Sequence, residues 1–260
     1  MFGVVPKTIW QKLNPADSNN MCSWAMRCLL AEMGDRLVLI DTGIGNKQSE
    51  KFFGFYHLHG TDTLQKSLAA LGFTPNDITD VVLTHLHFDH CGGAVLRNGD
   101  KLLPAFPHAV YHCHKDHWKW AVHPNPREKA SFLSENMLPL LDAGVLNLFA
   151  TGDQPVPGID FINVNGHTEC MTLPCFSYKG HTVIYMADLI PSMGHIPLPY
   201  VMAYDVRPLL TMQEKTSLLK EVASTNGWLF FEHDPLVEMC RVVETEKGYA
   251  AGEILRLSDL

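Results

Sequence analysis

The sequence predicts an α/β fold, and three observations predict it. Short apolar runs of strand length, at 78–83, 182–187 and 228–231, alternate with segments of helical period. Those runs end abruptly in histidine and aspartate. No repeat and no low-complexity linker interrupts the 260 residues, so a single domain over 1–260 is the simplest organisation.

In chain order, two apolar runs flank Gly34-Asp35 within 28–41, which is a hairpin signal. The second run ends in Asp41-Thr42-Gly43. Asp41 is read first as a turn former, because Asx bonding to nearby backbone is the commonest use of such a residue. Residues 46–60 form an aromatic loop (Phe52, Phe53, Phe55, Tyr56), read as a lid, a substrate wall or a packed connection. Leu64, Leu68 and Leu71 give a helix over 63–71, stopped by Gly72.

A helix is expected to begin at Ala94 and to be limited by Gly99-Asp100, with a strand at 106–111. Residues 124–142 read as a loop and then a helix broken near Pro139. Strands follow at 173–178 and 182–187 about a Lys179-Gly180 turn, and then a proline-rich loop at 191–207 holding His195, Tyr200, Tyr204 and Asp205, to which no role is given. The clearest helix is 211–223, with Thr211 as N-cap and Glu214 completing a capping box. A strand at 239–243 and an amphipathic piece at 249–257 close the chain.

The densest chemistry lies in Asp80 to Ala94, where His85, His87, Asp89 and His90 fall within six residues and Gly92-Gly93 follow. In extended backbone His85, His87 and Asp89 share a face. His90 joins them only if the chain turns, a freedom assigned here to the two glycines. Imidazole nitrogens and a carboxylate at this density suit zinc and similar borderline metals. Further donors arrive at the ends of other apolar runs: Asp188, His233 and, from a turn, His167. Five histidines and two aspartates exceed the four ligands of one tetrahedral ion and suit two ions with a shared carboxylate. The cluster His108, His112, His114, His117 and His123 lacks carboxylates at useful spacing apart from Asp116. It is read as exposed or hydrogen-bonded histidine. Cys91 is read as a small buried filler rather than a thiolate ligand.

A net charge of −8 makes a nucleic-acid backbone a poor partner. Seven scattered cysteines without a Cys-x-x-Cys pair argue against a disulfide framework and for a reducing, cytoplasmic setting. No apolar run reaches membrane-spanning length, and the first residues do not form a secretory signal. A homodimer is carried as an option.

The run His85-x-His87-x-Asp89-His90 resembles the signature of the metallo-β-lactamase-fold hydrolases. Gly166-His167-Thr168, Asp188 after an apolar strand, His233 after another, and the early Leu39-Ile40-Asp41-Thr42-Gly43 follow the same order. The resemblance implies a four-layer αβ/βα sandwich of two mixed β-sheets with helices outside. It implies that His85, His87 and His167 hold one divalent metal ion, zinc foremost, that Asp89, His90 and His233 hold a second, and that Asp188 bridges. Thr84 and Asp41 would support the site. One departure stands out: relatives often follow Gly-His-Thr with Pro-Gly, where this chain has Glu169-Cys170.

A metal-bridging hydroxide then needs no serine or cysteine nucleophile. Asp89, Asp188 and Tyr204 are the candidate catalytic residues, with Asp188 taking the proton. In lactonase-like members a phenol helps hold the substrate carbonyl; Tyr204 and Tyr200 are the candidates for that contact, or packing residues. The expected substrate is a small-molecule carboxylic ester or lactone, such as an acyl-homoserine lactone, with phosphotriesters as promiscuous substrates. Two alternatives on the same fold are an iron-dependent oxidoreductase of the sulfur-dioxygenase kind and a phosphodiesterase or nuclease. The acidic chain disfavours the nuclease. Flavo-diiron relatives tend to carry glutamate where this chain has His87.

Overall fold

Gly34-Asp35 closes a hairpin between β1 (Leu29–Met33) and β2 (Arg36–Ile40), with Gly34 at φ +67° as the turn requires. The computed structural model describes residues 1–260. The chain divides into two units, Cys28–Val156 and Met1–Arg27 with Pro157–Leu260.

In the unit Cys28–Val156, β3 (Asp80–Val82) pairs in parallel with β2. After the short hairpin of β4 (Val95–Asn98) and β5 (Lys101–Pro104), β6 (Val110–His114) and β7 (Leu146–Phe149) extend the parallel part. The sheet order is β1-β2-β3-β6-β7. Parallel strands covered on both faces read as continuous apolar runs, and Val81, Val82 and Leu83 are all fully buried. The helix Leu64–Ala70 is capped by Thr63, whose Oγ1 accepts the Lys66 amide, and buries Leu68.

Three local expectations are corrected in this unit. The segment after Ala94 is a β-hairpin rather than a helix. Asn98 pairs with Lys101, so Gly99-Asp100 is its two-residue loop, with Gly99 at φ +58°. The strand expected at 106–111 begins only at Val110, because Phe106 to Ala109 are held in a turn and the Tyr111 hydroxyl accepts the Phe106 amide. The helix Ser134–Asp142 runs through Pro139 unbroken. The proline removes a single bond, to the Glu135 carbonyl, and buried Met137 and Leu140 on either side hold the helix.

The second unit carries β8 (Ile159–Val164), β9 (Met171–Tyr178), β10 (His181–Tyr185), β11 (Trp228–Phe230), β12 (Met239–Thr245) and β13 (Gly248–Leu255). They are ordered β13-β12-β11-β10-β9-β8 and are antiparallel except for the β10–β11 pair. A parallel pair needs a crossover, and the helix Pro208–Thr225 supplies it. Both sheets are therefore mixed, and the α/β fold class is the predicted one. The amphipathic piece at 249–257 is strand β13, hairpinned to β12.

The helix expected at 211–223 starts three residues earlier. Pro208 occupies its first turn, where a missing amide hydrogen costs nothing, so Thr211 is inside the helix rather than its cap. Glu214 is freed from a capping box and instead accepts the amides of Asn165 (2.6 Å) and Gly166 (3.0 Å). From the same helix, fully buried Lys215 donates to the carbonyls of His195 (2.6 Å), Pro197 (3.0 Å), Leu198 (3.3 Å) and Tyr200 (3.0 Å). Burial pulls its ammonium down to about 7, while the ring of carbonyls favours the charged form. This one side chain fastens the proline-rich loop to the helix. Lys215→Met is expected to lower the unfolding free energy by about 3 kcal/mol or more, because four carbonyls lose a charged donor. Urea denaturation measures it, and a loss under about 1 kcal/mol would mean the loop is held by other contacts.

Candidate metal centre

Strand β2 ends at Ile40 and hands over to Asp41, which sits in left-handed backbone at φ +55° and is fully buried. Its carboxylate accepts the Thr84 amide (2.8 Å) and the Thr84 hydroxyl (2.6 Å). Strand β3 ends at Val82 and delivers Thr84, His85 and His87, all buried. The backbone turns into a short helix, Phe88–Cys91, that carries Asp89 and buried His90. Extended alternation therefore covers His85 and His87 only, and Asp89 belongs to the turn with His90.

The two glycines do not act through backbone freedom. Gly92 has ordinary helical angles, φ −60° and ψ −37°. A Cβ on Gly92 would stand 2.1 Å from the Ile44 carbonyl oxygen, and one on Gly93 would stand 2.2 Å from that of Thr42. They let the segment after Asp41 lie directly against the donor turn.

Each histidine here has a nitrogen held by a neighbouring side chain. His85 Nδ1 meets Thr84 Oγ1 at 3.1 Å, His90 Nδ1 meets Asp41 Oδ2 at 3.1 Å, and His87 Nε2 meets Glu128 Oε1 at 3.4 Å. The remaining nitrogens, His85 Nε2 and His87 Nδ1, stand 3.1 Å apart. Two nitrogens bonded at about 2.0–2.1 Å to one tetrahedral ion would stand roughly 3.4 Å apart, so this pair has the spacing of two ligands of one metal. Asp89 is half-buried, with Oδ2 4.0 Å from His90 Nε2.

The other unit repeats the pattern. Strand β10 ends at Tyr185 and passes through Ala187, at φ +41°, to buried Asp188. Strand β11 leads to His233, and the turn before β9 carries His167. His167 Nδ1 is held by Asp205 at 2.9 Å and His233 Nδ1 by the Ala25 carbonyl at 2.7 Å. Asp188 then presents one oxygen to each ring: Oδ2 is 3.0 Å from His167 Nε2, and Oδ1 is 3.0 Å from His233 Nε2. A carboxylate splitting its two oxygens between two histidines is disposed as a bridging ligand is. Burial opposes the charge on His167, but Asp188 and Asp205 push it up to about 10. The donor set is nitrogen and carboxylate oxygen, with outer partners fixing the imidazole tautomers, and it fits borderline divalent metals.

Of the predicted residues, His85, His87, Asp89 and His90 lie together in one unit, and His167, Asp188 and His233 lie together in the other. Tyr204 is exposed and precedes Asp205 directly; Tyr200 sits edge-on to Phe2. His195 is buried, stacked on Phe2 at 4.2 Å and bonded to Ser192, and burial pulls it down to about 3. Cys91 is a buried filler as expected; burial pushes its thiol up to about 12. The 108–123 histidines are hydrogen-bonded, as expected. The carboxylate that holds His112, Asp80 at 2.8 Å, comes from the neighbouring strand β3. The departure at Glu169-Cys170 leaves Cys170 at φ +48°, a conformation glycine adopts without strain. The Asn165 side chain secures it by accepting the Cys170 amide, and Glu169 pairs with Arg207. Sequence reasoning gave no role to Asp205 or Glu128, which lie 38 and 41 residues from the histidines they hold.

A model of the metallo-beta-lactamase superfamily matches residues 27–233. The chain belongs to this superfamily. Its solved superfamily relatives include a probable metal-dependent hydrolase from Staphylococcus aureus, 30% identical with TM-score 0.87, covering 98% of this chain and 92% of that one. The dizinc quorum-quenching lactonase AidC, solved with a product, shares the fold at TM-score 0.75 and 23% identity, covering 90% and 81% of the two chains. The N-acyl homoserine lactonase of Bacillus thuringiensis is 26% identical over 167 residues, 60% of this chain and 58% of that protein. A probable metallo-hydrolase of Mycobacterium tuberculosis is 31% identical over 147 residues, 51% and 44% of the two. The chain thus spans about half the length of the curated superfamily relatives it matches.

Gly92→Ala and Gly93→Ala are each expected to cost at least about 3 kcal/mol, roughly 6–12 °C in Tm, because the new Cβ meets fixed backbone. Gly99→Ala, at a turn with open space around it, is expected to cost about 1 kcal/mol through its backbone alone. Thermal melting of the three variants side by side checks the ranking. Equal losses would mean that space at the donor turn is not the constraint.

Proposed function

We propose that this chain is a dinuclear metal-dependent hydrolase of carboxylic esters or lactones, an acyl-homoserine lactone being one such substrate. The observation that carries the reading is Asp188, whose two oxygens face two different histidines, each held from behind. In this reading His85, His87 and His167 hold one divalent ion, Asp89, His90 and His233 the other, and Asp188 is shared. Zinc is the first choice for a nitrogen-rich set of this kind. Residues 1–260 then act as one functional domain, since both units contribute donors.

Two ions bound by such donors supply a nucleophilic water at neutral pH and a Lewis-acid contact for a carbonyl oxygen. The chain's own residues supply the rest. Asp188, a carboxylate held between two imidazoles, takes up the proton of the attacking water and passes it to the leaving alkoxide. Asp89 keeps negative charge at the second position. Tyr204, exposed beside the residue that fixes His167, is assigned the contact with the substrate carbonyl in this reading. Phe52 and Tyr56 pack on Phe88, between His87 and Asp89, at 5.2 and 4.7 Å, which gives the donor turn an aromatic border suited to a partly apolar substrate. The distant kinship with N-acyl homoserine lactonases supports the lactone choice. A reducing setting is part of this reading, and no helix is long and apolar enough to cross a membrane.

Elemental analysis is expected to find two metal ions per chain. A panel of lactones, aryl esters, thioesters, phosphotriesters and phosphodiesters is expected to give turnover on lactones or esters first. His87→Ala and Asp188→Asn are each expected to cut that turnover by about 10³-fold or more with the fold retained. Undiminished activity in either variant, or oxygen consumption in place of hydrolysis, removes the assignment.

A further inference from the structure

The histidine- and tryptophan-rich stretch that follows strand β6 holds none of the proposed ligands, yet it grips the donor turn residue by residue. His117 Nε2 accepts the Leu86 amide at 2.8 Å. Glu128 Oε1 faces His87 Nε2 at 3.4 Å, and the Phe132 ring lies 4.8 Å from the His87 ring. The Ser131 carbonyl accepts the Phe88 amide at 3.0 Å. Three consecutive residues, Leu86 to Phe88, are thus clamped by a single segment, 117–132.

The charged part of this clamp is Glu128, 3% exposed. Its Oε2 accepts from the Trp120 indole at 2.7 Å and the Asn125 amide at 2.5 Å. Two neutral donors would be served equally well by the neutral oxygen of a glutamine. Burying a full negative charge there is costly unless positive charge adjoins it. The group facing the other carboxylate oxygen is the outer nitrogen of His87, the nitrogen that turns positive in character when the ring binds a cation through Nδ1.

We propose that Glu128 is a positioning residue for His87, and that segment 117–132 serves to hold it, so that Glu128 fixes the ring's tautomer and sets the affinity of one of the two metal ions. The proposal rests on the two-ion reading above. A glutamine at this position keeps an acceptor for Trp120 and Asn125 but turns an N–H toward His87 or loses the charge that favours the bound cation.

The test is zinc titration of the metal-free protein against a chromophoric chelator, for the unaltered chain, Glu128→Gln and Glu128→Asp. The unaltered chain is expected to bind two ions. In Glu128→Gln one binding step weakens about 10–100-fold while the other holds, and the metal-free melting curve is unchanged. Glu128→Asp, which retains the charge, recovers part of the loss. If Glu128→Gln fails to fold, Trp120→Phe takes its place, because it loosens the carboxylate without removing it and must also weaken one step alone. Unchanged affinity at both steps, or equal weakening of both, overturns the proposal and leaves the two-ion reading standing. An unaltered chain that takes up no zinc overturns both.

Discussion

Asp41 is the constraint on which the first half of the centre depends. Its left-handed backbone costs about 1–2 kcal/mol for a residue with a Cβ. Three hydrogen bonds to one buried carboxylate, from the Thr84 amide, the Thr84 hydroxyl and His90 Nδ1, outweigh that cost, since bonds to charged groups contribute about 1.5–3 kcal/mol each. Those bonds tie the end of β2 to the end of β3 and to the donor turn beyond it. A slip of the chain by one residue at Asp41 would break all three contacts. Strain at residue 41 and order at residues 84–90 are two sides of one arrangement.

The same logic recurs in different chemistry across the five histidines. A hydroxyl holds His85, carboxylates hold His87, His90 and His167, and a backbone carbonyl holds His233. An imidazole whose outer nitrogen donates to a fixed acceptor has its lone pair on the inner nitrogen. Each of the five rings is therefore fixed in orientation by a partner behind it. Asp188 gains its split contact in the same way, since the two rings it faces are immobilised from behind.

What could be read in the sequence was whatever has a local pattern. Donors at the ends of apolar runs were legible because several such runs end in His or Asp, and the spacing from His85 to His90 is compact enough to stand out. Features built from distant residues were not. Asp205 and Glu128 carry no mark in their own neighbourhoods, and only the fold brings them to His167 and His87. Other misreadings came from signals with two physical meanings. Thr211 and Glu214 have the spacing of a capping box, but Pro208 starts the helix first and sends Glu214 to the His167 loop. Gly99-Asp100 ends a helix as readily as it turns a hairpin. Gly92 and Gly93 were needed for the space a missing Cβ leaves, whereas a sequence displays only their freedom of rotation.

Both sheets put their donors at strand ends and leave the longer connections, 46–60 and 191–207, without any of the seven. The seven donors and these two connections are thus encoded in separate stretches of the chain, with Asp205 and Pro191 tying the second connection back to His167 and His233. Exchanges in those two connections can accumulate without displacing a donor so long as Asp205 keeps its hold on His167 and Pro191 its hold on the His233 amide. Such a division lets a lineage change what it recognises while inheriting its reaction intact, and it explains how one scaffold can serve many diets.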